Sequence, residues 1–216
     1  MVRKSFATAL GLLLVAGLGS AEASTKKPTR PKPVCQQLLD PSGDSQPLAG
    51  LNPSKAPQAP SLDILSADIA SGSTNLIAVI RVASLDADPA TQFGSQYQFS
   101  WKINEVKQSL SYRTYADSAP DAVFDPDTDS GTLMDLIQAS VGVDPSTKQI
   151  SISIGRKHNP QLKKSTTKAP AKFTDFKVNT YAGVARKNGT TYSGFDNTDD
   201  SSRTYLDTAP TCVKGT

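Results

Sequence analysis

Chemically versatile side chains are scarce in this chain. One histidine, one tryptophan, two cysteines and two methionines serve 216 residues. His158 is the only imidazole, so a site built from several histidines is excluded, and no Cys or second His stands near it at metal-ligand spacing. No Gly-x-Ser-x-Gly elbow occurs, and nothing marks a serine as a nucleophile held beside a base. Strong charge is also lacking: a formal +3 creates no field that points to nucleic acid. Aromatics make up 6%, and none is interleaved with the cations of 156–172, which argues against stacking on single-stranded bases. Beyond the N-terminus no apolar run approaches the ~20 residues that a membrane-spanning helix needs.

The N-terminus is the exception to this plainness. Arg3 and Lys4 precede a short apolar run, 6–18, and Ala21-Glu22-Ala23 precedes Ser24. A positive start, an apolar centre and small residues at minus three and minus one make 1–23 a secretory signal peptide. The expected mature protein begins near Ser24 and is exported and extracellular. Residues 24–34 form a Pro-rich arm with Lys26, Lys27, Arg30 and Lys32. That composition reads as a solvated, extended linker, and its cations also suit contact with an anionic cell-wall polymer. The remainder, 35–216, is of a length suited to one domain. Cys35 and Cys212 stand near its two ends, and in an exported protein such a pair is expected to form a disulfide. Closing so long a loop removes about 5 kcal/mol from the unfolded state in the chain-entropy model.

Turn-forming residues separate short alternating blocks along the domain. Strands are expected at 62–69, 76–85 and 97–103, then at 108–115, 150–154, 173–185 and 190–195, with a last short one near 203–207. In the third block Tyr97, Phe99, Trp101 and Ile103 share one face, so Trp101 is expected in the core. The block 76–85 is apolar on both faces, which suits a central strand. Residues 133–143 fit a strand or a short helix. The β reading gains from the turn at Asp144-Pro145-Ser146-Thr147 and the alternation of Ile150, Ile152 and Ile154, which together suggest a hairpin. Residues 116–131 read as an acidic loop, 156–172 as a basic loop, and 196–202 as a polar loop. The expected fold is all-β: an antiparallel β-sandwich, jelly-roll-like, with long polar loops.

Part of this pattern resembles a known class. Asp40-Pro41-Ser42-Gly43-Asp44, Asp63-Ile64-Leu65-Ser66-Ala67-Asp68, the apolar block 76–82 and the aromatic block 97–101 occur in that order. The arrangement resembles secreted β-sandwich modules of the DOMON and family-9 carbohydrate-binding type, over about residues 40–105. The resemblance implies a sandwich that binds a ligand rather than a catalyst. Carbohydrate sites of that type rest on exposed tryptophans, and the single Trp101 here is assigned to the core, so the resemblance carries fold further than it carries a sugar site. Some DOMON-like modules also hold haem through a Met and a His. The mature chain has one of each, Met134 and His158, but no apolar pocket pattern surrounds either, and the reading goes against haem.

Two loops stand out as candidate sites. Asp125, Asp127 and Asp129 alternate in one turn, with Asp135 close behind. Such spacing lets several oxygens converge on a hard cation, so calcium is the expected ion; the same spacing also makes a solvated acidic turn. An EF-hand is excluded, because its sixth-position Gly is missing and Leu136 stands where its Glu belongs. Asp196-Asn197-Thr198-Asp199-Asp200 reads as a second oxygen-rich turn, and Asp40 and Asp44 flank a glycine turn whose side chains equally suit bonds to their own backbone. Arg156, Lys157, Lys163, Lys164 and Lys168 form a cationic stretch suited to a polyanion. The expected function is a secreted, non-catalytic module that binds an extracellular or cell-surface ligand such as a glycan. A hydrolase using loop aspartates as acid and base, or an accessory protein of the cell envelope, are the alternatives.

Overall fold

The computed structural model describes residues 38–45, 59–71, 74–129, 136–163, 170–186, 189–200, 205–206 and 214–215. The expected signal peptide, the basic arm, both cysteines, Met134, Asp135, Lys164 and Lys168 lie outside the described residues. Among those described, no helix is long and apolar enough to cross a membrane.

The chain is all-β, in two antiparallel sheets. The first contains β1 (Leu38–Leu39), β2 (Ile64–Ser71), β3 (Asn75–Val82), β8 (Ser140–Asp144) and β9 (Gln149–Gly155), in the order β1-β2-β3-β9-β8. The second contains β4 (Ser95–Ile103), β5 (Val106–Arg113), β6 (Asp121–Asp125), β7 (Ile137–Gln138), β10 (Lys172–Arg186), β12 (Tyr205–Leu206) and β13 (Lys214–Gly215). Its order is β13-β12-β10-β4-β5-β6-β7, and β11 (Gly189–Asp200) pairs with β10. Because β9 returns beside β3 and β10 beside β4, strands distant in sequence become neighbours in both sheets.

Alternation decides which side chains face inward. On β3, Leu76, Ala78, Ile80 and Val82 are fully buried, and on β9 Ile150, Ile152 and Ile154 meet them across the ladder. Each of these Leu, Ile and Val side chains contributes about 1.5–3 kcal/mol by leaving water. From the second sheet come Phe99, Trp101, Ile103, Leu110, Phe124, Phe173, Phe176 and Val178. Trp101 stacks on Phe124 at 6.2 Å between centroids, and Phe99 meets Phe176 edge-on.

Bulges shift the inward phase in two strands. On β2 the register slips between Ile64 and Ser66, so the inward residues change from Ile64 to Ala67 and Ile69. Strict alternation would have put Ser66 in the core with Ile64; the extra residue moves Ala67 there instead. On β10 the slip falls between Thr174 and Lys177, where Asp175 takes φ +51°, and Phe173 and Phe176 both face inward. The turn from β4 to β5 needs only Asn104 and Glu105, both at positive φ, as a tight hairpin with matching twist requires.

Two segments read as loops are strands. Asp121–Asp125 was expected within an acidic loop, yet it forms β6, with Ala122 and Phe124 buried. Residues 196–200 were expected to be a turn, yet they pair with Phe176 to Thr180 as the end of β11. In both, ladder partners and alternate inward side chains outweigh a composition that looks like loop. The basic stretch is part helical, a 3-10 turn at Arg156–His158 followed by α1 (Pro160–Lys163).

The two sheets also meet through hydrogen bonds at the approach to β2. The hydroxyl of Tyr97 donates to Ser61 O at 3.0 Å, Thr180 Oγ1 donates to Leu62 O at 2.6 Å, and the Ile64 amide donates to Asp196 Oδ2 at 2.8 Å. A close backbone approach fixes the β3–β4 loop. The Gly183 amide donates to Gly94 O at 2.8 Å. A Cβ on Gly183 would lie 2.5 Å from Phe93 O, and one on Gly94, whose φ is +111°, would lie 2.2 Å from Thr114 O. Only glycine fits at either position.

Thr180 is fully buried, so Thr180→Val keeps its shape and removes the partner of Leu62 O. Urea denaturation is expected to show a loss of about 1–3 kcal/mol, the cost of an unsatisfied buried carbonyl.

Candidate metal centre

Carboxylates gather where β1, the approach to β2 and the end of β11 come together. Asp40, Asp44 and Asp196 each offer an oxygen, and these oxygens lie within 4.8 Å of one another. Oxygens bound to one calcium ion sit about 2.4 Å from it, so any two are separated by at most about 5 Å. The spacing is therefore that of ligands to one ion.

Local structure explains how each acid arrives. The Asp40 amide follows β1 and donates to Leu65 O at 3.2 Å, which pins that residue beside β2. Gly43, at φ +84°, turns the chain so that Asp44 comes back towards Asp40. Asp63 holds this turn: both its oxygens accept from the Gly43 amide, at 3.1 and 2.8 Å. Asp196 enters from the opposite sheet. It is buried, and its two oxygens accept from the amides of Ile64 and Asn197, each at 2.8 Å.

The electrostatics show strain of one sign. The Asp40 carboxyl is pushed up to about 7, first by burial and then by Asp196, Asp44 and Asp63, against the Thr198 hydroxyl. Asp196 is also raised, first by burial, with the amides of Ile64 and Asn197 opposing and Asp44 and Asp63 adding to the rise. Asp40 Oδ2 is buried and has no hydrogen-bond partner. A buried acceptor left unpaired among other acids is a place for a positive charge. Hard oxygen donors and several negative charges suit calcium, and exclude the soft metals that prefer sulfur.

The acidic turn is built differently. Asp125 Oδ1 accepts from the Asp127 amide at 3.1 Å, and Asp127 Oδ1 accepts from the Asp129 amide at 3.3 Å. These are side chains bonding their own backbone two residues on, the usual habit of Asp in turns. The Thr128 amide ties the turn to Lys107 O at 2.9 Å. Asp135, the fourth expected ligand, lies outside the described residues.

Of the cationic stretch, Arg156 reaches across to donate to Ser71 Oγ, while Lys157 and Lys163 are exposed. His158 is exposed as well. The two loops that stand out in the sequence meet at one buried side chain. Gln108, fully buried, accepts from Trp101 Nε1 at 3.2 Å and donates to Pro126 O at 3.2 Å. Asn159 Nδ2 donates to Gln108 Oε1 at 2.9 Å, and Asn159 Oδ1 accepts from the amides of Gln161 and Leu162. The acidic turn and the start of α1 are thus both anchored to the core through Gln108.

No protein-family model matches the chain, and no curated protein matches it in sequence.

Sequence reasoning placed calcium at Asp125, Asp127, Asp129 and Asp135, and weighed the 40–44 and 196–200 segments only as separate turns. Each contributes too few oxygens alone; the pairing of β1 with β2 and the reach of Asp196 to Ile64 unite them. Asp127→Asn is expected to change stability by less than about 0.5 kcal/mol, with or without calcium, because the amide oxygen still accepts from the Asp129 backbone. Thermal melting of the variant checks this.

Proposed function

We propose that the protein is a secreted, non-catalytic β-sandwich module that binds an extracellular or cell-surface ligand such as a glycan, and that calcium held by Asp40, Asp44 and Asp196 stabilises it. The observation that carries the calcium part is the convergence of these carboxylates around a buried, unpartnered Asp40 oxygen. Export supports the same reading, since calcium outside cells is abundant enough to fill sites of modest affinity. The DOMON-like order of turns and strands over residues 40–105 supports ligand binding. The ion's task is structural: it neutralises acids from both sheets and fastens the 40–44 turn to β11.

A second reading draws on the raised Asp40 carboxyl. A neutral acid beside ionised carboxylates is what a glycoside hydrolase uses as its general acid. It differs from the first in what Asp40→Asn removes.

With free calcium about 100-fold above its dissociation constant, the added stability is about 2.7 kcal/mol, or roughly 5–10 °C in melting temperature. Melting of the mature protein in calcium and in chelator should show that difference. Asp40→Asn should abolish it, while the chelated variant melts no lower than chelated wild type, because one of the mutually repelling charges is gone. A wild-type melting curve that is the same in calcium and chelator defeats the proposal. Glycoside turnover by the wild type that disappears in a folded Asp40→Asn variant establishes the hydrolase instead.

A further inference from the structure

A second feature lies at the edge of the first sheet farthest from the carboxylates. The order β1-β2-β3-β9-β8 leaves β8 outermost, and among the described residues no strand pairs with its free side. An outermost strand presents a row of backbone N–H and C=O groups to which another strand can bond, and proteins blunt such rows with brevity, charge, proline or bulges. Other edges here follow that rule. β1, β7 and β13 have two residues each. β11 carries Asp196, Asp199 and Asp200, and a bulge interrupts its ladder with β10.

β8 has none of these protections. Its sequence, Ser140-Val141-Gly142-Val143-Asp144, contains no Lys, Arg or Pro, its ladder with β9 runs without a shift, and all five residues are exposed. Val141 and Val143 are 40% and 45% exposed, although they stand opposite the buried Ile152 and Ile150 and so share the core-side face. They carry the apolar row of the core out to the rim, where it ends in water. The one charge on the strand is engaged elsewhere. Asp144 Oδ1 accepts from the Ser146 amide and hydroxyl at 2.9 and 2.6 Å, and Oδ2 accepts from Thr147 Oγ1 at 2.7 Å, which commits the carboxylate to its own turn.

The strand is also its own complement. Two copies laid antiparallel about Gly142 set each Val141 beside the second copy's Val143 on the same face, and each Asp144 beside a Ser140. All five residues then pair. The two Asp144 carboxylates fall about 14 Å apart, beyond the Debye length of about 8 Å at physiological salt. A slip of one residue turns the valines of one copy to the opposite face, and a slip of two takes one valine of each copy out of register.

We propose that β8 is the interface of a twofold homodimer, in which two copies pair antiparallel about Gly142 and their five-stranded sheets become one continuous sheet of ten. The assembly closes, because the rotation that joins the two strands uses the free side of each. Five paired residues are few for an interface, so association is weak and concentration drives it. The calcium centre stands beside β1, at the opposite edge of this sheet, so neither reading depends on the other.

Sedimentation of the mature protein from about 10 µM to about 1 mM should show the mass rising from one chain toward two. Val141→Lys combined with Val143→Lys should hold the chain monomeric throughout, with its melting temperature within about 3 °C of wild type, since both positions are exposed. Leu39→Lys, at a position 67% exposed on the opposite edge, should leave the dimer intact. Gly142→Cys tests the register. A Cβ at Gly142 meets nothing within 4 Å, and α carbons paired at the twofold centre lie about 4.5–5.5 Å apart, so mild oxidation should join two chains by a disulfide. Ser140→Cys sets its sulfurs about 14 Å apart and should yield no more joined chains than wild type does. The proposal is overturned if the wild-type mass climbs past two chains, if the double lysine variant still dimerises, or if Ser140→Cys is joined as readily as Gly142→Cys. A wild type that stays monomeric throughout also overturns it; if its β8 amide signals then shift on adding a valine-rich pentapeptide, the edge belongs to a foreign strand instead.

Discussion

The approach to β2 carries buried backbone groups that its own sheet cannot satisfy. Ser61 O, Leu62 O and the Ile64 amide all find partners on the second sheet, in Tyr97, Thr180 and Asp196. Other groups of the same segment are met locally, with Ala83 donating to Asp63 O at 2.9 Å and Ser84 donating to Pro60 O at 3.0 Å. Apolar burial brings two sheets together but is indifferent to small slides between them. Hydrogen bonds of fixed direction between one sheet and Ser61, Leu62 and Ile64 at the approach to the other are not. They set the registry of the sandwich, and the candidate metal centre borders this segment on the Asp63 and Ile64 side.

Polar groups are used in two ways inside this molecule. Around Gln108 they are matched. An indole N–H, a carbonyl and an Asn amide fit one buried amide, and the two loops of opposite charge are held to the core by neutral bonds rather than by their charges. Around Asp40 they are mismatched, because several acids gather and one buried Asp40 oxygen has no hydrogen-bond partner. Arg81, by contrast, pairs with the nearly buried Asp68 at 2.6 Å, which shows how the fold treats an acid it means to balance internally. Deleting either partner there would leave a buried charge exposed to no compensation.

Much of the fold was legible in the sequence, for a definite reason. Tyr97, Phe99, Trp101 and Ile103 alternate without interruption, and all four are buried. The hairpin ending at Ile150, Ile152 and Ile154 was legible too, because period two and a turn cluster coincide. Bulges were not legible: nothing at Leu65 or Asp175 announces the extra residue, and each bulge reverses which later side chains face inward. β6 was hidden because Asp121 and Asp125 bracket an apolar pair and give the stretch the look of a loop. The carboxylate cluster was less accessible still. Asp40 and Asp196 are far apart in sequence and adjacent only because β1 joins one sheet while β11 hangs from the other. The 125–135 turn stands out in the sequence by its local density of acids, whereas the approach of Asp196 to Asp40 and Asp44 depends on which strands become neighbours.

The contact between Gly94 and Gly183 has a consequence for how this fold can change over time. The added carbon on Gly183 would strike Phe93 O and Gly94 O, and one on Gly94 would strike Thr114 O. A side chain at Gly183 requires the β3–β4 loop to lift away from β10, and one at Gly94 requires the same loop to lift away from Thr114 at the end of β5. Descent with this loop held in place should preserve both glycines, even after the surrounding sequence has diverged beyond alignment. Two glycines, one just ahead of an aromatic strand and one within a late long strand, form a sparse signature by which distant kin could be sought.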